Sequence, residues 1–147
     1  VNAAEQANSV DKVSKIATVV NLFKAQFPEA TVDLSPWLKN AETAKFDDPD
    51  AIDFAFHFPR HSFACQCQTI LMQIRLPGAI ATTAQRIGGI ELSGHDAMGQ
   101  RWRMNTNSGQ FWGTTQPLPE AEQKLTQICR QILRLFKLVV EGSPSER

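Results

Sequence analysis

Between residues 52 and 114 apolar and polar side chains alternate through several short runs, and on either side of that stretch apolar residues recur at helical spacing. A repeat of two is the mark of a strand with one wet face, and a repeat of 3.6 that of a helix with one buried stripe. Ser9 is placed to cap a helix, Asp11 suits its first turn, and Val13, Ile16, Val20, Phe23 and Phe27 form its stripe, with Val10 and Ala17 on the flank. Pro28 ends that helix. Ser35 and Pro36 then predict a short helix to about Lys45, stopped by Asp47-Asp48-Pro49-Asp50.

Ile52 to Phe58 is predicted as a strand with Ile52, Phe54, Phe56 and Phe58 on one side and Asp53, Ala55 and His57 on the other. A second strand, from about Thr69 to Leu76, turns Ile70, Met72, Ile74 and Leu76 inward, and Leu71 interrupts its alternation. Residues 79–86 suit either a short helix or a loop. From Ile90 to Thr114 a three-residue turn at Ala97-Met98-Gly99 sets Leu92 opposite Met104, Ile90 opposite Thr106 and Ser93 opposite Arg103. A two-residue turn at Asn107-Ser108 sets Met104 opposite Phe111 and Arg103 opposite Trp112. The two turns divide the faces in the same way, and a slip of one residue would invert every side chain.

After Pro117-Leu118-Pro119 comes the longest predicted helix, with Ala121, Leu125, Ile128, Ile132, Leu135, Phe136 and Val139 in one stripe, stopped by Gly142 and Pro144. Residues 1–8 and 142–147 read as disordered tails around a single domain at 9–141. The expected fold is α+β: a meandering antiparallel sheet of about five strands, with the N-terminal and C-terminal helices packed on its Phe/Ile/Met face.

The 147 residues suit one domain with one core. Fifteen basic residues balance fifteen acidic ones, so no field of one sign draws the chain to nucleic acid or anionic lipid. No run approaches the ~18 apolar residues of a membrane span, the first residues lack a signal peptide's basic and apolar regions, and three cysteines do not suit a disulfide framework. A soluble, cytoplasmic protein is expected.

His57, His61, Cys65 and Cys67 contain the two imidazoles and two thiols of a tetrahedral zinc site. Their spacing argues against it, because alternate strand residues stand about 7 Å apart and a knuckle separates its cysteines by two or more residues. Asp47, Asp48, Asp50 and Asp53 offer hard oxygen ligands but lack the glycine and closing glutamate of a calcium loop. Ser93 with His95, and Cys65 or Cys67 with His57 or His61, are the nucleophile and base pairs close in sequence, and no G-x-S-x-G elbow accompanies them. Gly88-Gly89 lacks a phosphate-loop pattern and reads as a bulge. No cofactor motif is present. Arg130, Arg134 and Lys137 give the last helix a basic face that its own dipole explains.

The register collects Arg75, Glu91, Ser93, His95, Arg101, Arg103, Asn105 and Trp112 on the polar face of the sheet. Arginine beside an exposed tryptophan suits recognition, and it equally suits a wet face on which Arg103 stacks over Trp112. The expected function is a non-enzymatic accessory module that binds a protein or peptide by this face or by a strand added to an open sheet edge, which could also make a homodimer. Two alternatives stand beside it. One is a small-molecule binder or enzyme with a pocket between sheet and helices, using His57, His95, Cys65 and Cys67. The other is a weak single-stranded nucleic-acid binder using Trp112, Arg101 and Arg103, which the neutral charge disfavours.

Overall fold

The computed structural model describes residues 1–37, 50–77 and 86–139, with the side chains of Arg86 and Ile87 excepted. Its elements are α1 (Ala3–Gln6), α2 (Val10–Gln26), β1 (Thr31–Asp33), β2 (Ala51–Ser62), β3 (Cys67–Arg75), β4 (Arg86–Ile87), β5 (Gly89–Asp96), β6 (Gly99–Asn105), β7 (Phe111–Gly113), α3 (Pro119–Leu135) and β8 (Leu138–Val139). Six strands form one antiparallel meander in the order β1-β2-β3-β5-β6-β7, and β4 and β8 form a separate parallel pair. The fold is a single α+β domain, as the alternation predicted.

The division of faces follows the register. Phe54 pairs with Met72, Met72 with Leu92, Leu92 with Met104 and Met104 with Phe111, so one row of apolar side chains crosses the sheet. Under it lie α2 and α3, whose Ile16, Val19, Phe23, Leu125, Ile128 and Ile132 belong to the same core. Phe23 stacks on Phe56 at 3.8 Å between centroids and Phe27 meets Phe58 edge-on at 6.0 Å. The helices run antiparallel, since Lys15 near the start of α2 lies over Phe136 and Lys124 near the start of α3 lies over Phe27. Among the described residues no helix is long and apolar enough to cross a membrane.

Several local expectations are corrected. Residues 1–8 are not a frayed tail: Asn2, Ala3 and Gln6 are buried, and Asn2 exchanges hydrogen bonds with the backbone of Trp37. Ser9 caps α2 by accepting from the Lys12 amide, but the stripe is centred on Ile16, Val19 and Phe23, which leaves Val10 89% and Val13 49% exposed. The last helix stops at Leu135, where Lys137 takes a positive φ and Leu138–Val139 turn into β8. The hairpin after β5 pairs Asp96 with Gly99 around two residues, and an irregularity at Gly94/His95 restores the register that a three-residue turn would have set. Gly88 makes no bulge; it is where the chain passes from the small sheet to the large one, and a Cβ there would lie 2.6 Å from the Arg75 carbonyl. Residues 34–37 are irregular, and the rest of the helix expected to Lys45, residues 79–85 and the tail at 142–147 lie outside the described residues.

Candidate functional site

The outer face of the sheet is built by the odd-numbered residues of β5 and β6, which alternation turns away from the helices. Arg103 lies between Glu91, whose carboxylate it contacts at 2.5 Å, and the ring of Trp112, 5.3 Å from its guanidinium carbon. Arg75 reaches the other oxygen of Glu91 at 3.9 Å. Arg101 is held by Asp96 at 3.4 Å and donates to the Thr115 hydroxyl at 3.1 Å. Trp112 is 38% exposed, so it stands at the surface as the register predicted. Each named arginine has an acidic neighbour, which leaves little uncompensated positive charge here for a phosphate backbone.

Higher on the same face, the Ser93 hydroxyl lies 2.8 Å from His95 Nε2, and His57 Nδ1 lies 3.0 Å from the Thr69 hydroxyl. Partial burial pushes the His95 pKa below its ordinary value, with Asp96 acting in the opposite direction. Ser93 and His95 thus meet the distance requirement of a nucleophile and its base on an open sheet surface.

The predicted zinc ligands are separated. The pairing of β2 with β3 shifts between His57 and Ser62, and the alternation of β3 breaks so that Gln68 and Thr69 both face out while Cys67 faces in. Cys65 and Cys67 are therefore in the core, where burial pushes their thiols up to about 11 and about 12, while His57 and His61 stay on the outer surface. His61 faces Asp96 at 3.8 Å and His57 faces Asp33 at 3.9 Å. Among the described residues no three His, Cys, Asp or Glu side chains group as a metal site. The same separation removes Cys65 and Cys67 as partners of His57 and His95. Of the acidic run, Asp47 and Asp48 lie outside the described residues, Asp50 is exposed, and Asp53 is buried and accepts from Gln73 Nε2 at 3.0 Å.

A cleft of about 670 Å³ opens between the β7 edge and the outward side of α3. Gln110, Phe111 and Gln116 line its strand side, and Glu122, Thr126 and Arg130 its helix side. Those helix residues recur every four positions, so they share a stripe along the flank of the buried face, with Glu122 and Thr126 half-buried and Arg130 exposed. The Leu118 amide donates to the Ala64 carbonyl at 2.8 Å, which starts α3 at the β2–β3 turn and sends it back alongside β7 in the opposite direction.

The backbone of β7 faces this cleft in a defined way. The Thr106 amide donates to the Ile90 carbonyl at 3.0 Å and the Thr115 amide to the Arg101 carbonyl at 3.2 Å. With Thr106 turned to β5 and the Arg101 carbonyl to β7, alternation along β6 makes Arg103 and Trp112 a hydrogen-bonded pair, so the amide and carbonyl of Trp112 face β6 while those of Phe111 and the amide of Gly113 face outward; the positive φ of Gly113 ends the alternation there. Among the described residues no strand pairs with β7 on that side. The sequence predicts an open edge without fixing its place; the signal for it lies in the Pro117-Leu118-Pro119 break, which reverses the chain, and in the polar repeat Glu122, Thr126, Arg130 beside the apolar stripe.

Residues 4–138 match the model of a family described as a domain of unknown function, and the chain belongs to that family. No curated protein and no solved structure matches it.

Proposed function

We propose that this family member is a non-enzymatic binding module that takes an extended segment of a protein partner as a further strand on β7, with alternate side chains of that segment in the cleft against α3. The observation that carries the reading is an edge strand, β7, on whose outer side no strand pairs among the described residues, beside a cleft. The outward amide and carbonyl of Phe111 and the outward amide of Gly113 supply the main-chain bonds, and the cleft gives side-chain selection. Gln110, Gln116, Thr126 and the two charged helix residues make the cleft polar, so selection acts through hydrogen bonds and charge more than through a greasy anchor. The polar sheet face is the weaker docking surface, because its arginines are already engaged with Glu91 and Asp96. A reducing, cytoplasmic compartment suits the three buried free thiols.

Panning a library of short random peptides against the full chain tests this. Enriched peptides are expected to bind at least about tenfold more weakly to Thr126→Trp, which fills the cleft, and unchanged to Arg103→Ala on the outer face of β6. Peptides that lose affinity with Arg103→Ala and keep it with Thr126→Trp would move the site to the polar face.

A further inference from the structure

The cleft carries a charge pattern that specifies its occupant, an inference resting on the peptide reading above. Because α3 runs opposite to β7, Glu122, one turn into the helix, stands toward the Gln116 end of the cleft and Arg130 toward the Gly109–Gln110 end. Glu120 and Lys124 on the same helix pair with each other at 3.8 Å, whereas neither Glu122 nor Arg130 forms an ion pair among the described residues. Eight helical residues separate them by about 12 Å along the axis. An extended chain covers that length in four residues at about 3.4 Å each, and residues four apart point to the same side.

We infer that the cleft selects a partner segment carrying a basic residue and, four residues later, an acidic one, bound antiparallel to β7. Every pairing in the large sheet is antiparallel, and a segment continuing the meander runs from the Glu122 end to the Arg130 end. Its basic side chain then meets Glu122 and its acidic one meets Arg130. The residue midway between them faces the Thr126 hydroxyl, which favours a small polar side chain there. The opposite charge order places like charges together at both ends of the cleft, so the pattern sets direction as well as affinity.

Fluorescence anisotropy with three labelled peptides of alternating Thr and Val tests this: one carries Lys and then Glu four residues on, one has the two exchanged, and one has Gln at both places. The Lys-then-Glu peptide is expected to bind at least about tenfold tighter than its exchanged twin, with an advantage that shrinks in high salt. The double variant Glu122→Arg with Arg130→Glu should reverse the order, and Glu122→Gln with Arg130→Gln should erase it; both alter surface side chains, and an unchanged melting temperature confirms folding. Equal binding of all three peptides, lost in Thr126→Trp, overturns the charge pairing and leaves the peptide reading standing. Failure of all three to bind overturns both. Self-association abolished by Thr126→Trp, with no peptide bound, assigns the cleft to a second copy of the chain and also overturns both.

Discussion

At the scale of single residues, the tightest constraint is the approach of Gly94 to Trp102. A Cβ on Gly94 would lie 2.2 Å from Trp102 Nε1, and that nitrogen donates to the buried Cys65 carbonyl at 2.7 Å. Gly94→Ala is therefore expected to cost about 1–3 kcal/mol or more in urea unfolding, because the indole cannot move without leaving that carbonyl unpaired. The thiols give a second expectation. Burial pushes Cys65 to about 11 and Cys67 and Cys129 to about 12, so no native thiol should react with a disulfide reagent at pH 8, and all three should react after denaturation. Because the folded thiols hold their protons above the ordinary thiol value of 9.0, stability falls as pH rises past that value, where the unfolded chain releases protons first. His95 acts at the other end of the scale. Its pKa is lowered below 6.5, so the unfolded chain takes the proton first, and stability declines as pH falls through that value. His95→Gln should flatten the acid limb of a melting-temperature profile.

At the scale of elements, long periodic segments were legible and short ones were not. The alternation of Ile52 to Phe58, and the faces expected for Leu92, Met104 and Phe111, appear in the structure because a register slip would expose a whole row, although neither turn keeps its expected length: Asp96 and Gly99 close around two residues, and residues 106–110 join β6 to β7. β1, with three residues, and α1, with four, each span little more than one period, too short for a pattern to repeat, and each is held by distant partners: β1 by Ala55 to His57, α1 by the backbone of Leu34 and by Trp37 through Asn2. The stripe of α2 departs from the expected one at Val13, which has the spacing of Ile16 and Val20 yet is half exposed, and at Val19, which is buried in place of Val20. Phe23 is the centre of that contact, buried and stacked on Phe56. Phe23→Ala should cost about 3–5 kcal/mol, whereas Val10→Ala should stay within about 0.5 kcal/mol, and equilibrium unfolding of the pair measures the difference.

At the scale of the whole molecule, the cleft is a consequence of topology. A meander must end at an edge, and here the chain leaves that edge through Pro117 and Pro119 and returns as α3, so one wall is a strand with outward backbone groups and the other a helix with a polar stripe. Composition cannot show this, because the walls come from Gln110 and Phe111 on one element and Glu122 and Thr126 on another. The four candidate zinc ligands are kept apart at the same scale, as their spacing suggests: His57, His61, Cys65 and Cys67 are near in sequence, but the irregularity between His57 and Ser62 sends the thiols and imidazoles to opposite sides of the sheet. Hydrogen exchange at individual amides, with and without a panned peptide, tests the central claim most directly. Strand addition protects Phe111 and Gly113 strongly and leaves Trp112, whose amide already faces β6, nearly unchanged. Protection confined to residues of the outer face, with Phe111 and Gly113 exchanging as fast as in the free chain, would contradict it.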